Sequence, residues 1–193
     1  MGFSYLNNNN WANITREERV FCSDLFHTIQ GNEKKFIRWL KNKEWLDNKK
    51  LIFIDVELEE EWEIAYEVCF YRDYFSVIKN MGVGSSDFSP KRTFDLCLFS
   101  EKRIIIIEAK VQQPFEYRDI IKYTNDKTAI QRLIGTGVEV ELVALASSIY
   151  FINHKRFGKQ STLSAFDGLL AWKELYEYFG NKRFDLADKM YNT

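Results

Sequence analysis

Two runs of strand-forming residues, 94–99 (FDLCLF) and 103–111 (RIIIIEAKV), lie three residues apart, and no other stretch leaves so little choice of fold. β-Branched, Leu and Phe side chains favour strands, and the short link through Ser100, Glu101 and Lys102 suits a hairpin. With Glu101 and Lys102 as a two-residue turn, the antiparallel register sets Phe99 opposite Ile104, Cys97 opposite Ile106 and Asp95 opposite Glu108. Side chains alternate along a strand, so Glu108 and Lys110 share a face and Asp95 joins them from across the hairpin. Carboxylates placed directly opposite each other stand roughly 5 Å apart at Cβ and repel. A divalent cation between them removes the conflict, because hard cations take oxygen ligands and commonly bridge to phosphate. A solvated Glu-Lys face would be the ordinary alternative. Against it, Ile104 and Ile106 continue the face that carries the charges, and both runs are apolar on both sides, as in a covered central sheet.

Composition narrows the class of protein. The 193 residues suit one domain with a sizeable core, and 46% hydrophobic with 16% aromatic content describes a globular chain. A net charge of −1 gives no global basic field, so any nucleic-acid surface must be local. Cys22, Cys69 and Cys97 sit in apolar patterns without metal-like spacing and read as free thiols of a reducing compartment. His27 and His154 have no Cys or His partner at zinc spacing. No apolar run approaches the ~20 residues of a membrane span, and the first residues lack the basic end and apolar core of a signal peptide. The expectation is a soluble cytoplasmic protein of one domain, 1–193, with residues 1–12 as a flexible leader and no membrane association.

Along the chain, Thr15 with Glu18 matches the Thr-x-x-Glu capping box, and Phe21, Cys22, Leu25, Phe26 and Ile29 form a helical stripe up to Gly31. Residues 32–50 predict a second helix with Lys34, Lys35, Arg38, Lys41 and Lys43 around an apolar side; a charge run is usually a solvated face, but a phosphate-backbone contact is the functional reading. Residues 51–56 predict a short strand. The acidic block 57–63 leads into a predicted helix over 62–78, spaced by Ile64, Val68, Tyr71, Phe75 and Ile78. Residues 80–90 predict a loop, in which Asp87 suits turn geometry. After Pro114 comes a predicted helix to Ile134, then a strand over 138–146, a basic loop over 153–162 with Lys155 and Arg156 as phosphate-contact candidates, and a helix over 163–180. Hairpin, helix, strand is the order of a mixed sheet with a crossover.

Asp95, the hairpin and then Glu108-Ala109-Lys110 resemble the PD-(D/E)XK nuclease superfamily, whose signature is an Asp on one strand and acidic-x-Lys on the next. Phe94 stands where the family name has Pro. The element order extends the resemblance over residues 15–146. It implies an α/β restriction-endonuclease-like fold, a mixed β-sheet flanked by helices, acting as a metal-dependent DNA endonuclease or exonuclease. It further implies Asp95, Glu108 and Lys110 as catalytic residues and Mg²⁺ or Mn²⁺ held by Asp95, Glu108 and the carbonyl of Ala109. Glu18 would be an added metal ligand from the first helix, with the helix cap as its plainer role. Gln112, which keeps the parity of Glu108 and Lys110, is a candidate for orienting phosphate or water, with a polar strand end as its plainer role. DNA would be the partner, met by Lys34, Lys35, Arg38, Lys155 and Arg156, and a homodimer would suit symmetric cutting. The alternative is a catalytically inactive nuclease fold that binds DNA or a protein.

Overall fold

A computed structural model describes residues 4, 7–8, 10–80, 88–135, 137–156 and 160–191. Five strands form one mixed sheet in chain order: β1 (Glu63–Val68), β2 (Phe94–Phe99), β3 (Arg103–Ala109), β4 (Glu139–Ala146) and β5 (Gly168–Ala171). β1, β2 and β3 run antiparallel to one another in turn, whereas β3, β4 and β5 are parallel. The helices are α1 (Trp11–Ile14), α2 (Glu18–Ile29), α3 (Glu33–Asn42), α4 (Asp55–Glu59), α5 (Phe70–Asp73), α6 (Tyr117–Ile134), α7 (Ser148–Arg156), α8 (Trp172–Phe179) and α9 (Lys182–Lys189).

Both sheet faces are covered, which explains why β2 to β4 read as continuous apolar runs. On one face Leu96, Leu98, Ile105, Ile107 and Ala109 pack with Phe21 and Leu25 of α2, Phe36 and Ile37 of α3, and Trp172 of α8. On the other, Cys97, Ile104 and Ile106 pack with Tyr71 of α5, Ile120 and Tyr123 of α6, and Tyr150 of α7. Among the described residues no helix is long and apolar enough to cross a membrane.

The hairpin has the expected register, Phe99 with Ile104 and Cys97 with Ile106. The predicted helix over 115–134 is α6, and the predicted strand over 138–146 is β4. Two strands were hidden. Residues 62–78 begin as β1 and turn helical only from α5 into a π-helical turn, Tyr74–Ile78. Ile64 and Val68 are four apart, a spacing that keeps two residues on one face of a helix and of a strand alike, so periodicity could not decide; the open edge of β2 did. Within residues 163–180, Gly168–Ala171 is β5 and only Trp172–Phe179 is helical. Gly168 lies so close beneath Trp45 that a Cβ there would stand 2.5 Å from the indole ring.

Smaller differences have local causes. Residues 51–54 alternate like a strand, with Leu51 and Phe53 buried and Ile52 and Ile54 exposed, but they join no ladder before α4 begins. The helix predicted over 32–50 is α3 to Asn42, followed by a 3₁₀ turn Leu46–Asn48. The basic loop over 153–162 starts inside α7. Asp87 and most of the loop over 80–90 lie outside the described residues, as do several residues of the expected leader; within that leader Trp11 already opens α1.

Candidate active site

The site lies where β2 begins and β3 ends. Carried one position past Leu96 and Ile107, the hairpin register sets Asp95 opposite Glu108. Asp95 is half-buried, and its Oδ2 accepts the Ala109 N–H at 2.8 Å. Burial pushes its carboxyl up, while the Ala109 amide, Lys110 and Arg92 pull it back. Glu108 is 4% exposed. Burial, then the Asp95 charge, push it up to about 8 despite the counter-pull of Arg92 and Lys110. The two acids expected to oppose each other therefore do so electrostatically.

Lys110 leaves the sheet at the end of β3, its backbone fixed by its N–H to the Leu145 carbonyl at 2.7 Å and by the Trp172 indole N–H to its own carbonyl at 3.0 Å. Its ammonium donates to Glu18 Oε1 at 3.1 Å. Burial works against that charge, but Glu18 and Asp95 outweigh it and raise the Lys110 pKa. The second oxygen of Glu18 accepts the Val111 N–H at 3.2 Å. Glu18 is thus turned toward the strand end. The capping box expected from Thr15 does not form: Thr15 Oγ1 accepts from Glu17, the residue that precedes α2, and no side chain caps the helix. Glu18 feels the Asp95 charge and is itself pushed up by burial.

The sequence reading missed the residue that meets Glu108. Arg92 enters from the turn before β2 and donates from Nη2 to Glu108 Oε1 at 2.7 Å and from Nε to Asp126 Oδ2 at 2.7 Å. Asp126 also accepts the Tyr71 hydroxyl at 2.7 Å. The signal for Asp126 was present, a carboxylate on the buried stripe of α6 between Tyr123 and Ile130. Arg92 carried no such signal, since it lies in a turn.

Counting Glu18, Asp95, Glu108 and Asp126 against Lys110 and Arg92 gives four carboxylates to two cations, an excess of two negative charges when all are ionised. One backbone feature also stands here. Glu67, which the β1–β2 register sets opposite Asp95, has φ +53°, unusual for a side chain within a strand, and its carboxylate meets Arg19 at 3.3 Å.

The remaining candidates are dispersed. Gln112 is half-buried, and its side-chain amide nitrogen is buried without a partner. Lys34 meets Glu61 at 2.6 Å, Arg38 meets Glu59 at 2.8 Å and Lys41 meets Asp55, so the acids missing from the basic helix are supplied by residues 55–61. Lys35 is exposed, Lys155 pairs with Asp47 at 2.7 Å, and the Arg156 side chain lies outside the described residues.

Among the described residues, no three or more His, Cys, Asp or Glu side chains form a ready group for a metal ion. The donor chemistry nevertheless fits a hard divalent ion: Asp95 and Glu108 are oxygen donors on facing strands, and the Asp95 charge pushes the Glu108 carboxyl up, a conflict that a cation between them would relieve. No family model, curated protein or solved structure matches the chain.

Proposed function

We propose that this protein is a metal-dependent nuclease of the PD-(D/E)XK kind that hydrolyses DNA phosphodiesters. The observation that carries the reading is the convergence of Asp95, Glu108, Lys110 and Glu18 at the end of the β2–β3 hairpin, in the register the motif requires. The order of hairpin, crossover helix α6 and parallel β4 supports it, because that order is the one a restriction-endonuclease-like fold implies.

Asp95 and Glu108 would hold Mg²⁺ or Mn²⁺ together with the Ala109 carbonyl. Bound there, the ion would polarise the phosphate and lower the pKa of an attacking water. Lys110 is the chain's own donor at that place, able to orient the water or offset charge gathering on phosphorus. Glu18 of α2 holds the Lys110 ammonium in position and accepts the Val111 N–H with its second oxygen, and it would stand as the added acid beside the proposed metal site. DNA is the substrate proposed, and a homodimer would place two sites for symmetric cutting.

Supercoiled plasmid incubated with the purified protein should be nicked or linearised with Mg²⁺ or Mn²⁺ and left intact with EDTA. Lys110→Ala should reduce cutting about 10²–10³-fold, with DNA affinity in Ca²⁺ nearly unchanged, since both metal carboxylates remain. A second reading has its own support. The Arg92–Glu108 ion pair occupies one of the two hairpin carboxylates, which suits a nuclease-like fold that binds DNA or a protein without cutting. Metal-independent DNA binding with no cleavage under any ion would select that reading.

A further inference from the structure

Arg92 is more firmly held than neutralising Glu108 requires. Its Nε donates to Asp126 Oδ2 at 2.7 Å, its Nη1 to the Thr93 carbonyl at 2.9 Å and its Nη2 to Glu108 Oε1 at 2.7 Å. The guanidinium also lies over two rings, 4.6 Å from the centroid of Phe94 and 5.2 Å from that of Tyr123. Asp126 is buried and fixed in turn by the Tyr71 hydroxyl. Two of the three hydrogen bonds therefore bind Arg92 to α6 and to its own turn, and the rings of Phe94 in β2 and Tyr123 in α6 add to that hold, none of it through the carboxylates of the hairpin. Only Nη2 reaches those carboxylates.

This asymmetry has a consequence once a divalent ion takes Glu108. An arginine attached only to Glu108 would be free to swing into solvent. Arg92 stays tethered at Nε and Nη1, so Nη2 keeps facing the site and lacks an acceptor. A planar guanidinium is suited to phosphate oxygens, and the anion brought to this ion is a phosphate. We propose that Arg92 is a further catalytic residue, whose Nη2–H passes from Glu108 to a non-bridging oxygen of the scissile phosphate when the ion binds. Asp126 and Tyr71 are its positioning residues. The proposal rests on the nuclease reading and extends it to a residue outside the motif.

Because Arg92 competes with the ion for Glu108, metal binding and cleavage should respond to its loss in opposite directions. Mn²⁺ titration calorimetry and plasmid cleavage are compared for the parent, Arg92→Gln, Arg92→Lys and Asp126→Asn, each checked for a cooperative melt. Arg92→Gln should bind Mn²⁺ at least about tenfold more tightly yet cut about 10²–10³-fold more slowly, the range seen when one donor to a developing oxyanion is removed. Arg92→Lys should recover little cutting, since an ammonium cannot keep the Asp126 and Thr93 tethers. Asp126→Asn should slow cutting with a far smaller change in Mn²⁺ affinity, and it serves as the test should Arg92→Gln fail to fold. A damaged scaffold would weaken Mn²⁺ binding instead, and that result overturns the proposal. Tighter Mn²⁺ binding with undiminished cutting also overturns it, leaving Arg92 as a plug. If the parent itself neither binds Mn²⁺ nor cuts, the nuclease reading falls and the proposal with it; a parent that does both, beside an indifferent Arg92→Gln, sinks the proposal alone.

Discussion

At the scale of single residues, Glu108 carries the clearest pH signature. Its carboxyl titrates near 4.5 in an unfolded chain and is pushed up to about 8 here, by burial first and the Asp95 charge second. Between those values the folded protein holds a proton that the unfolded chain has released, so stability falls as pH rises through that window. The metal-free protein should accordingly melt several degrees lower at pH 8.5 than at pH 5, at about 2–4 °C per kcal/mol for a domain of this size. Glu108→Gln should flatten that slope, and thermal melts in EDTA across pH read it directly. The opposition of Asp95 and Glu108 was legible in the sequence because strand alternation and a two-residue turn fix the register. Lys110, by contrast, lies just past β3, and its ammonium meets Glu18 of α2, which the hairpin does not dictate. Arg92 was not legible, because nothing in the periodicity of a turn residue says which acid it will reach. Glu18 was half legible: its place on the buried edge of α2 was readable, but its carboxylate answers to Lys110 and Val111 and not to the cap.

Among elements, the opposite end of β3 is held by a second buried charge network. Arg103 donates to Glu57 of α4 from Nε at 3.2 Å and from Nη2 at 3.1 Å, to the Ile52 carbonyl at 2.8 Å, and to Glu141 of β4, with Glu139 at 2.9 Å. It ties α4 and the irregular segment 51–54 to the start of the parallel pair. Removing it would leave the buried Glu57 and the half-buried Glu141 without their counter-charge, so Arg103→Met should cost about 3–5 kcal/mol. A lower urea midpoint with an unchanged slope is the expected result; a loss under about 1 kcal/mol would mean water relieves the acids. β2, β3, α6 and β4 were readable because long runs of one period leave no competitor. The edge strands were not. β1 satisfies both periods, and β5 is four residues whose identity depends on β4 beside it and on Trp45 covering Gly168.

Across the whole molecule, charge balance decides what a DNA surface can be. The net charge is −1, and the basic side of α3 is met by acids from residues 55–61. Neutralising Lys34, Lys35 and Arg38 together should therefore lower the salt dependence of DNA binding by no more than about one phosphate contact, a slope change of roughly 0.9. Fluorescence anisotropy over a salt series in Ca²⁺ measures it, and a change near three contacts would put α3 on the DNA after all. That pairing could not be read from the helix alone, since the acids arrive from another segment.

The β2–β3 hairpin sets Asp95 opposite Glu108, and the proposed metal site rests on that opposition. Melting the parent and Asp95→Asn in EDTA and again in excess Mn²⁺ tests it most directly. Burial already works against the Asp95 charge, and an Asn can still accept the Ala109 N–H. Without metal, Asp95→Asn should therefore melt above the parent, and Mn²⁺ should raise the parent's melting temperature while leaving the variant's nearly unmoved. A variant that melts below the parent in EDTA, beside a parent indifferent to Mn²⁺, would make Asp95 a satisfied structural acid and contradict the account.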